Sequence, residues 1–192
     1  MDWEEEGKLL ATLGGHQKSI QSVSYSPSGK HLVSGSMDKE LFLWDAQAGK
    51  FISSLSRHSQ PVTCVSYTAD GSHLLSGSAD STVKVWDANL GSEKAKWQYD
   101  ERIWMNCCSY NPVDSSELVT GSSECHIIVW DTANNDIKYT LQHHQRPITC
   151  IEYSPDGNYI ASASEDGELV VWDAKSGCLH ARLQYHKSNI CG

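Results

Sequence analysis

Nine histidines and seven cysteines are the residues of this chain that could bind a metal ion or carry redox chemistry. His143 and His144 are adjacent, but no second pair of ligands follows at a spacing typical of a metal site. Cys107 and Cys108 are also adjacent, and on a strand their side chains point to opposite faces. The sequence contains neither a glycine-rich phosphate loop before a helix nor a nucleophile elbow. We therefore expect no metal, no cofactor and no catalytic residues.

A Trp-Asp pair recurs at intervals of roughly forty residues, a period that indicates a repeat architecture. Each pair ends an apolar segment such as LFLWD or VKVWD. An alternating segment such as VTCVSY, a turn rich in Pro, Asp or Gly, and a short segment such as LLSGS come before it. Alternation of period two predicts β-strands and no helix, and the small residues should let neighbouring sheets approach closely. The tryptophans of these pairs are Trp44, Trp86, Trp130 and Trp172.

This period and the Trp-Asp ending resemble those of the WD40 repeat family, and the resemblance covers nearly the whole chain. It implies an all-β fold of four four-stranded antiparallel blades, forming a partial β-propeller or half of a ring. The predicted segments are 1–15 (N-terminal tail and orphan outer strand), 16–57 (repeat one), 58–100 (repeat two, with a divergent outer strand), 101–143 (repeat three), 144–185 (repeat four) and 186–192 (the start of a fifth repeat).

The resemblance also implies a buried hydrogen-bonded tetrad of His, Ser or Thr, Asp and Trp in each blade. A buried indole N–H needs an acceptor and a buried carboxylate needs donors, so such a set is physically sensible. Carried onto this sequence, the tetrad residues are His16, Ser34, Asp38 and Trp44; His58, Ser76, Asp80 and Trp86; Thr120 and Trp130; and His144, Ser162, Asp166 and Trp172.

Repeat three departs from the tetrad pattern. Glu124 takes the place of the Asp, and Asp100 or Glu101 falls where the His belongs. Two interpretations remain open: a degenerate blade that the fold tolerates, or a blade whose loops bind something instead of stabilising the sheet.

Propellers of the WD40 family usually close with seven blades and sometimes with six or eight, so four repeats account for part of a ring. Gly7–His16 resembles the outer strand of a preceding blade, and His186–Gly192 begins a further inner strand. An open edge would expose an apolar sheet face. The chain is accordingly expected to be a fragment or truncated isoform of a longer propeller. The alternatives are a homodimer that completes a ring and a strained four-blade ring.

Partner binding in this family is most often on the top face, around the central channel. Trp104 and Arg102 belong to the residue types most enriched in interface hot spots. The alternative for Trp104 is that it packs under a rearranged loop and fills the space left by the absent His. Trp97, on the outer strand of repeat two, is expected to pack at the surface. The candidate partner-binding residues are Trp104, Arg102, Asn106, Met37, Gln21 and Glu165.

The formal net charge of −9 at pH 7 disfavours binding to nucleic acid or to acidic membranes. Cys64, Cys107 and Cys150 occupy equivalent positions and are expected to be small buried hydrophobic residues rather than disulfide partners. This favours a reducing compartment, the cytoplasm or alternatively the nucleus. The expected function is that of a non-catalytic scaffold or adaptor that binds peptides or domains of other proteins. An RNA-binding propeller, and a product with little activity apart from a longer relative, are the alternatives.

Overall fold

The computed structural model describes residues 9–183, which form sixteen β-strands and no helix. The first two blades comprise β1 (Ile20–Tyr25), β2 (His31–Ser36), β3 (Leu41–Asp45) and β4 (Lys50–Ser54), and then β5 (Val62–Tyr67), β6 (His73–Ser78), β7 (Thr82–Asp87) and β8 (Glu93–Gln98). The next two comprise β9 (Met105–Tyr110), β10 (Glu117–Ser122), β11 (His126–Asp131) and β12 (Asp136–Gln142), and then β13 (Ile148–Tyr153), β14 (Tyr159–Ser164), β15 (Leu169–Asp173) and β16 (Leu179–Leu183).

Each blade is an antiparallel sheet whose four strands follow one another in chain order, so every connection within a blade is a hairpin. The first strand of each blade packs against the first strand of the next, which places β1, β5, β9 and β13 at the inner edges of the arrangement. The prediction of an all-β chain built from four four-stranded antiparallel blades is confirmed.

Consecutive blades pack face to face. We call the side of each sheet that carries the Trp-Asp tryptophan its tryptophan face. In blade two, Trp86 and Val65 lie on this face and share an apolar cluster with Val33 and Leu41 of blade one. Trp130 and Trp172 pack in the same way against blades two and three. Each tryptophan face therefore depends on the preceding blade for its cover.

Small residues on the second strand of a blade set the distance between neighbouring sheets. A Cβ atom added to Gly35 would lie only 2.6 Å from the Cγ1 atom of Val62 in the next blade. The corresponding atom on Gly77 would lie 3.1 Å from the Cβ atom of Met105. Real Cβ atoms avoid such short contacts, so the predicted close approach at the Ser-Gly-Ser segments is confirmed.

The tryptophan face of blade one has no preceding blade among residues 9–183. Tyr25 and Val23 on this face are 63% and 58% exposed, whereas the equivalent Tyr67 and Val65 of blade two are 8% and 6% exposed. The opposite face of blade four is also uncovered and borders a cavity of about 470 Å³ beside Tyr159. One face of each kind is therefore open to solvent.

Residues 9–19 form no strand, although the sequence around them resembles an outer strand. An outer strand needs a neighbour to pair with, and residues 9–183 provide none at that place. The predicted role of this segment, and the repeat boundaries, therefore stay predictions. Residues 1–8 and the expected fifth repeat at 186–192 lie outside the described residues. Within the described range, no helix is long and apolar enough to cross a membrane.

Candidate functional site

The tetrad residues of blade two form a continuous chain of hydrogen bonds. The indole Nε1–H of Trp86 donates to the Oγ atom of Ser76 at 2.9 Å. The Nε2 atom of His58 lies 2.8 Å from the same hydroxyl, and its Nδ1 atom lies 3.0 Å from Oδ2 of Asp80. Both His58 and Ser76 are buried. The chain thus connects the core of the sheet to the loop between β6 and β7.

Blades one and four repeat this geometry. In both, one serine hydroxyl lies between the indole and the imidazole, and the imidazole reaches an aspartate. The distances in blade one are 2.8 Å for Trp44–Ser34, 2.7 Å for Ser34–His16 and 2.9 Å for His16–Asp38. Those in blade four are 2.9 Å for Trp172–Ser162, 2.8 Å for Ser162–His144 and 2.9 Å for His144–Asp166.

Asp80 holds the loops at its end of blade two. Its carboxylate accepts hydrogen bonds from the backbone N–H groups of Ser59 and Thr82, at 2.9 and 3.0 Å, and from the Thr82 hydroxyl. Burial raises the pKa of this carboxyl, but the hydrogen bonds from His58 and Thr82 outweigh burial and hold the pKa well below its usual range. Asp80 therefore stays ionised at neutral pH.

Blade three stabilises its tryptophan by packing. Trp130 still donates to the hydroxyl of Thr120, at 2.9 Å, but no imidazole follows. The rings of Trp97 and Tyr99 lie 6.3 and 6.4 Å from Trp130, and Tyr99 also lies 6.2 Å from His126. Tyr99 holds the position of His143 in blade four, whose ring also lies 6.2 Å from that of its tryptophan, Trp172.

The expectation that Trp97 packs at the surface is wrong. Trp97 is 5% exposed and lies between blades two and three, at the position that Leu55 and Leu141 hold on other outer strands. The equivalence with those leucines is the sequence signal from which burial could have been predicted. Its Nε1 atom is buried without a hydrogen-bond partner within residues 9–183, as is Nδ1 of His126. Aromatic packing in blade three thus leaves two polar atoms unsatisfied.

Trp104 lies in the loop directly before β9. Its backbone is fixed to the neighbouring loop, since its N–H donates to Oγ of Ser123 at 3.1 Å and its C=O accepts from the Ser123 N–H at 3.0 Å. Its side chain is 55% exposed. A side chain exposed to this extent does not fill the space of the absent His. The structure thus presents this indole to solvent on a fixed backbone.

Trp104 lines a cavity of about 620 Å³ over the end of blade two. Two further candidates, Met37 and Gln21 from blade one, line the same cavity. Gln98, at the end of β8, and Glu101, in the loop before β9, also line it, together with residues of blade two such as Gln60 and Pro61. Neither Gln98 nor Glu101 is among the candidates predicted from the sequence. The available signal was that Gln98 ends the divergent outer strand and that Glu101 lies in the connection beside Trp104. Residues of blades one and two and of the loop before β9 therefore converge on one concave surface.

The other three candidates do not line this cavity. The amide of Asn106 donates to the backbone C=O of Ile148 at 3.0 Å and so joins the inner strands of blades three and four. Glu165 is half-buried, and its N–H donates to the backbone of Pro147. Arg102 is exposed beside Glu101.

The residues first considered for metal or redox chemistry have structural surroundings. His143 pairs with Glu168 at 3.0 Å. Cys107 and Cys108 lie in different apolar clusters, on opposite faces of β9, and burial raises the pKa of the Cys107 thiol. Between residues 9 and 183, no group of three potential ligands is arranged to hold a metal ion.

Curated proteins that resemble this chain match it over about one repeat. Nuclear distribution protein nudF 2 of Talaromyces marneffei is 42% identical over 43 residues, which is 22% of this chain and 10% of that protein. Nuclear distribution protein PAC1 of Tuber melanosporum is 44% identical over 43 residues, 22% of this chain and 10% of that protein. The periodic tryptophan protein 2 homolog of Schizosaccharomyces pombe is 46% identical over 41 residues, 21% and 5% of the two chains. The matches thus span a tenth or less of these relatives.

A family model covers much more of the chain. The model of the WD domain, G-beta repeat, matches at residues 7–45, 49–87, 100–131 and 135–173. Each match ends on one of the Trp-Asp pairs, and together the matches cover well over half of the sequence. The chain therefore belongs to the WD40 repeat family.

Proposed function

We propose that this chain is a non-catalytic interaction module that docks other proteins at the cavity beside Trp104. WD40 proteins generally bind other proteins, which supports the class of function. The observation that carries the specific site is a half-exposed tryptophan on a fixed backbone at the wall of a concave surface. A rigid aromatic side chain of this kind loses little conformational entropy when a partner covers it.

The divergence of blade three supports this choice of site. Where blade two uses His58 and Asp80 to hold the loop before β5, the loop before β9 contains Glu101 and Trp104, which both line the cavity. Aromatic packing below leaves these loop residues free for contacts with a partner. This favours the second interpretation of the degenerate repeat, in which its loops bind.

The test compares the full chain with its Trp104→Ala variant. Proteins that the wild-type chain retains from a cell extract and the variant does not are purified, and their affinities for both chains are measured by calorimetry. Loss of a hot-spot tryptophan should raise the dissociation constant at least about tenfold. A Glu124→Gln variant, changed at an exposed residue outside the cavity, serves as control. Equal affinities of all three chains for every purified partner would contradict the proposal.

The same experiment addresses the alternatives. A chain with little activity apart from a longer relative would retain no specific partner. An RNA-binding chain would retain oligonucleotides at low salt, but the net charge of −9 supports the absence of nucleic acid and of acidic membrane among its partners. The cytoplasm, with the nucleus as second choice, remains the proposed compartment.

We also propose a homodimer in which each open face covers the other kind of face on a second copy. Ile20, Val23 and Tyr25 support it, because they are about half exposed or more, whereas the equivalents in blades two to four are buried. Light scattering after size exclusion would give twice the monomer mass, and Tyr25→Glu would return the monomer. A monomeric mass for the unmodified chain at high concentration would contradict the dimer.

A further inference from the structure

The cavity beside Trp104 carries negative charge. Asp80 and Glu101 are the charged residues that line it, and no Lys, Arg or His side chain among residues 9–183 does. The Asp80 carboxylate stays ionised because hydrogen bonds from His58 and Thr82 stabilise the charged form. Glu101 is exposed, and its carboxylate forms no ion pair with a described side chain between residues 9 and 183. A ligand with positive charge would meet attraction from both carboxylates.

The uncharged walls suit the apolar part of a long cationic side chain. Trp104 offers an exposed indole, whose negative face attracts ammonium and guanidinium groups. Met37, which is 42% exposed, offers a polarisable thioether on the side of blade one. Lys and Arg bury an aliphatic stem while their charged group stays near carboxylates or water. The cavity therefore combines carboxylates for the charged group with an indole face and a thioether for the aliphatic stem.

Two amide side chains in the wall are available to a peptide backbone. Gln21 and Gln98 both line the cavity, and neither amide donates or accepts a hydrogen bond within the described residues. An extended segment has unpaired N–H and C=O groups, which such amides can satisfy. These positions favour a peptide over a small cation.

We propose that this cavity binds an unstructured basic segment of a partner protein by accepting a Lys or Arg side chain between Trp104, Met37 and Glu101. The inference rests on the proposed docking function and adds the chemistry of the ligand. Exposed Arg102 lies outside the cavity but next to Glu101, so its charge opposes the ligand.

The test uses the full chain and four capped nine-residue Gly/Ser peptides whose central residue is Lys, Arg, norleucine or Glu. Norleucine matches the stem of Lys without its charge. Binding is followed by NMR from the ¹H–¹⁵N signal of the Trp104 indole, which is assigned by its loss in Trp104→Phe. The Lys and Arg peptides should bind at least about fivefold more tightly than the norleucine peptide, and the Glu peptide most weakly.

Variants locate the charge that gives this preference. Glu101→Gln should remove most of the preference for Lys over norleucine while leaving the norleucine affinity within about twofold. Glu124→Gln, which removes the same charge elsewhere, should leave the preference intact. Arg102→Ala should tighten the Lys peptide by about twofold. Thermal melts of each variant check that the fold is unchanged.

Two results would overturn the inference and leave the docking function standing: equal affinities for the Lys and norleucine peptides, or no shift of the Trp104 signal with any peptide although Trp104→Ala still weakens a purified partner. Equal loss of the preference in Glu101→Gln and Glu124→Gln would also overturn it, because the effect would then be one of net charge. Failure of the docking function itself is recognised separately, by partners that bind the Trp104→Ala variant normally.

Discussion

Blades two and three are neighbouring copies of one sheet whose tryptophans are secured by different physical means. In blade two, hydrogen bonds run from Trp86 through Ser76 and His58 to Asp80. In blade three, the series of hydrogen bonds ends at Thr120, and the rings of Trp97 and Tyr99 pack beside Trp130. Both tryptophans are nevertheless about 1% exposed. Burial of the indole thus does not require the full tetrad.

The two blades also differ in the loops next to these tryptophans. In blade two, Asp80 holds the backbone at Ser59, so the loop before β5 lines the cavity on a backbone that the tetrad fixes. In blade three, the buried aromatic ring comes from Trp97 on the outer strand of blade two, and the loop before β9 exposes Trp104. The comparison indicates that a blade can lose its tetrad without losing its core. Four substitutions or conditions test this, from the largest expected effect to the smallest.

The largest expected effect is the difference in stability between removing the ring of Trp97 and removing that of Trp104. Trp97→Ala should lower the free energy of unfolding by about 3–5 kcal/mol, because it leaves a cavity between blades two and three. Trp104→Ala should change it by no more than about 0.5 kcal/mol, since the side chain is half exposed. Urea unfolding followed by circular dichroism measures both, with Trp97→Phe as the conservative control. Comparable losses for the two alanine variants would refute the assignment of packing to Trp97 and binding to Trp104.

Deleting the acidic residue at equivalent positions should affect blade two alone. Asp80→Ala leaves the donors of His58, Ser59 and Thr82 without their acceptor and should cost about 2–4 kcal/mol of the free energy of unfolding. Glu124→Ala, at the same position of blade three, should cost less than about 0.5 kcal/mol. The same denaturation experiment gives both values. A large loss in Glu124→Ala would mean that blade three contains a network of its own.

Acid should weaken the hydrogen-bonded tetrad of blade two before it weakens the aromatic packing of blade three. Hydrogen bonds depress the pKa of folded Asp80 below that of an unfolded Asp, which is about 3.9, so its contribution is full above about pH 5 and is lost as the pH falls from about 4 towards the folded pKa. The unfolding midpoint in urea should therefore fall between pH 5 and pH 2, less steeply in Asp80→Asn. Matching slopes for wild type and Asp80→Asn would show that Asp80 does not contribute to acid sensitivity.

Restoring the missing residues should have the smallest effect. The double variant Asp100→His, Glu124→Asp gives blade three the residue types of a tetrad at the two positions where they are missing. Both changed residues are exposed, so the free energy of unfolding should move by less than about 0.5 kcal/mol. A thermal melt is sufficient to measure this. A clear gain in stability would show that the space for the histidine had remained available.

The repeat pattern made the blades predictable because every copy obeys the same alternation and the same turn chemistry. The contacts of residues such as His58 and Ser76 could likewise be predicted, since the sequence repeats these residues at matched spacing. Contacts between blades were harder to predict. Trp97 lies on an outer strand whose polar neighbours suggested solvent, and only the covering face of blade three explains its burial. The bond from Asn106 to Ile148 joins residues 42 apart in sequence, a pairing that no local pattern encodes.

Side-chain hydrogen bonds between inner strands couple all four blades in amide hydrogen exchange. Thr63 donates to the backbone of Met105, and Asn106 donates to that of Ile148, so β5, β9 and β13 are tied in series. Ser22 and Ser24 of β1 accept hydrogen bonds from the backbone N–H groups of Val65 and Tyr67, so β1 is tied to β5 as well. Opening of one strand therefore disturbs the next. The amides of blade one should nevertheless exchange first, because its tryptophan face lacks the cover that the other three have.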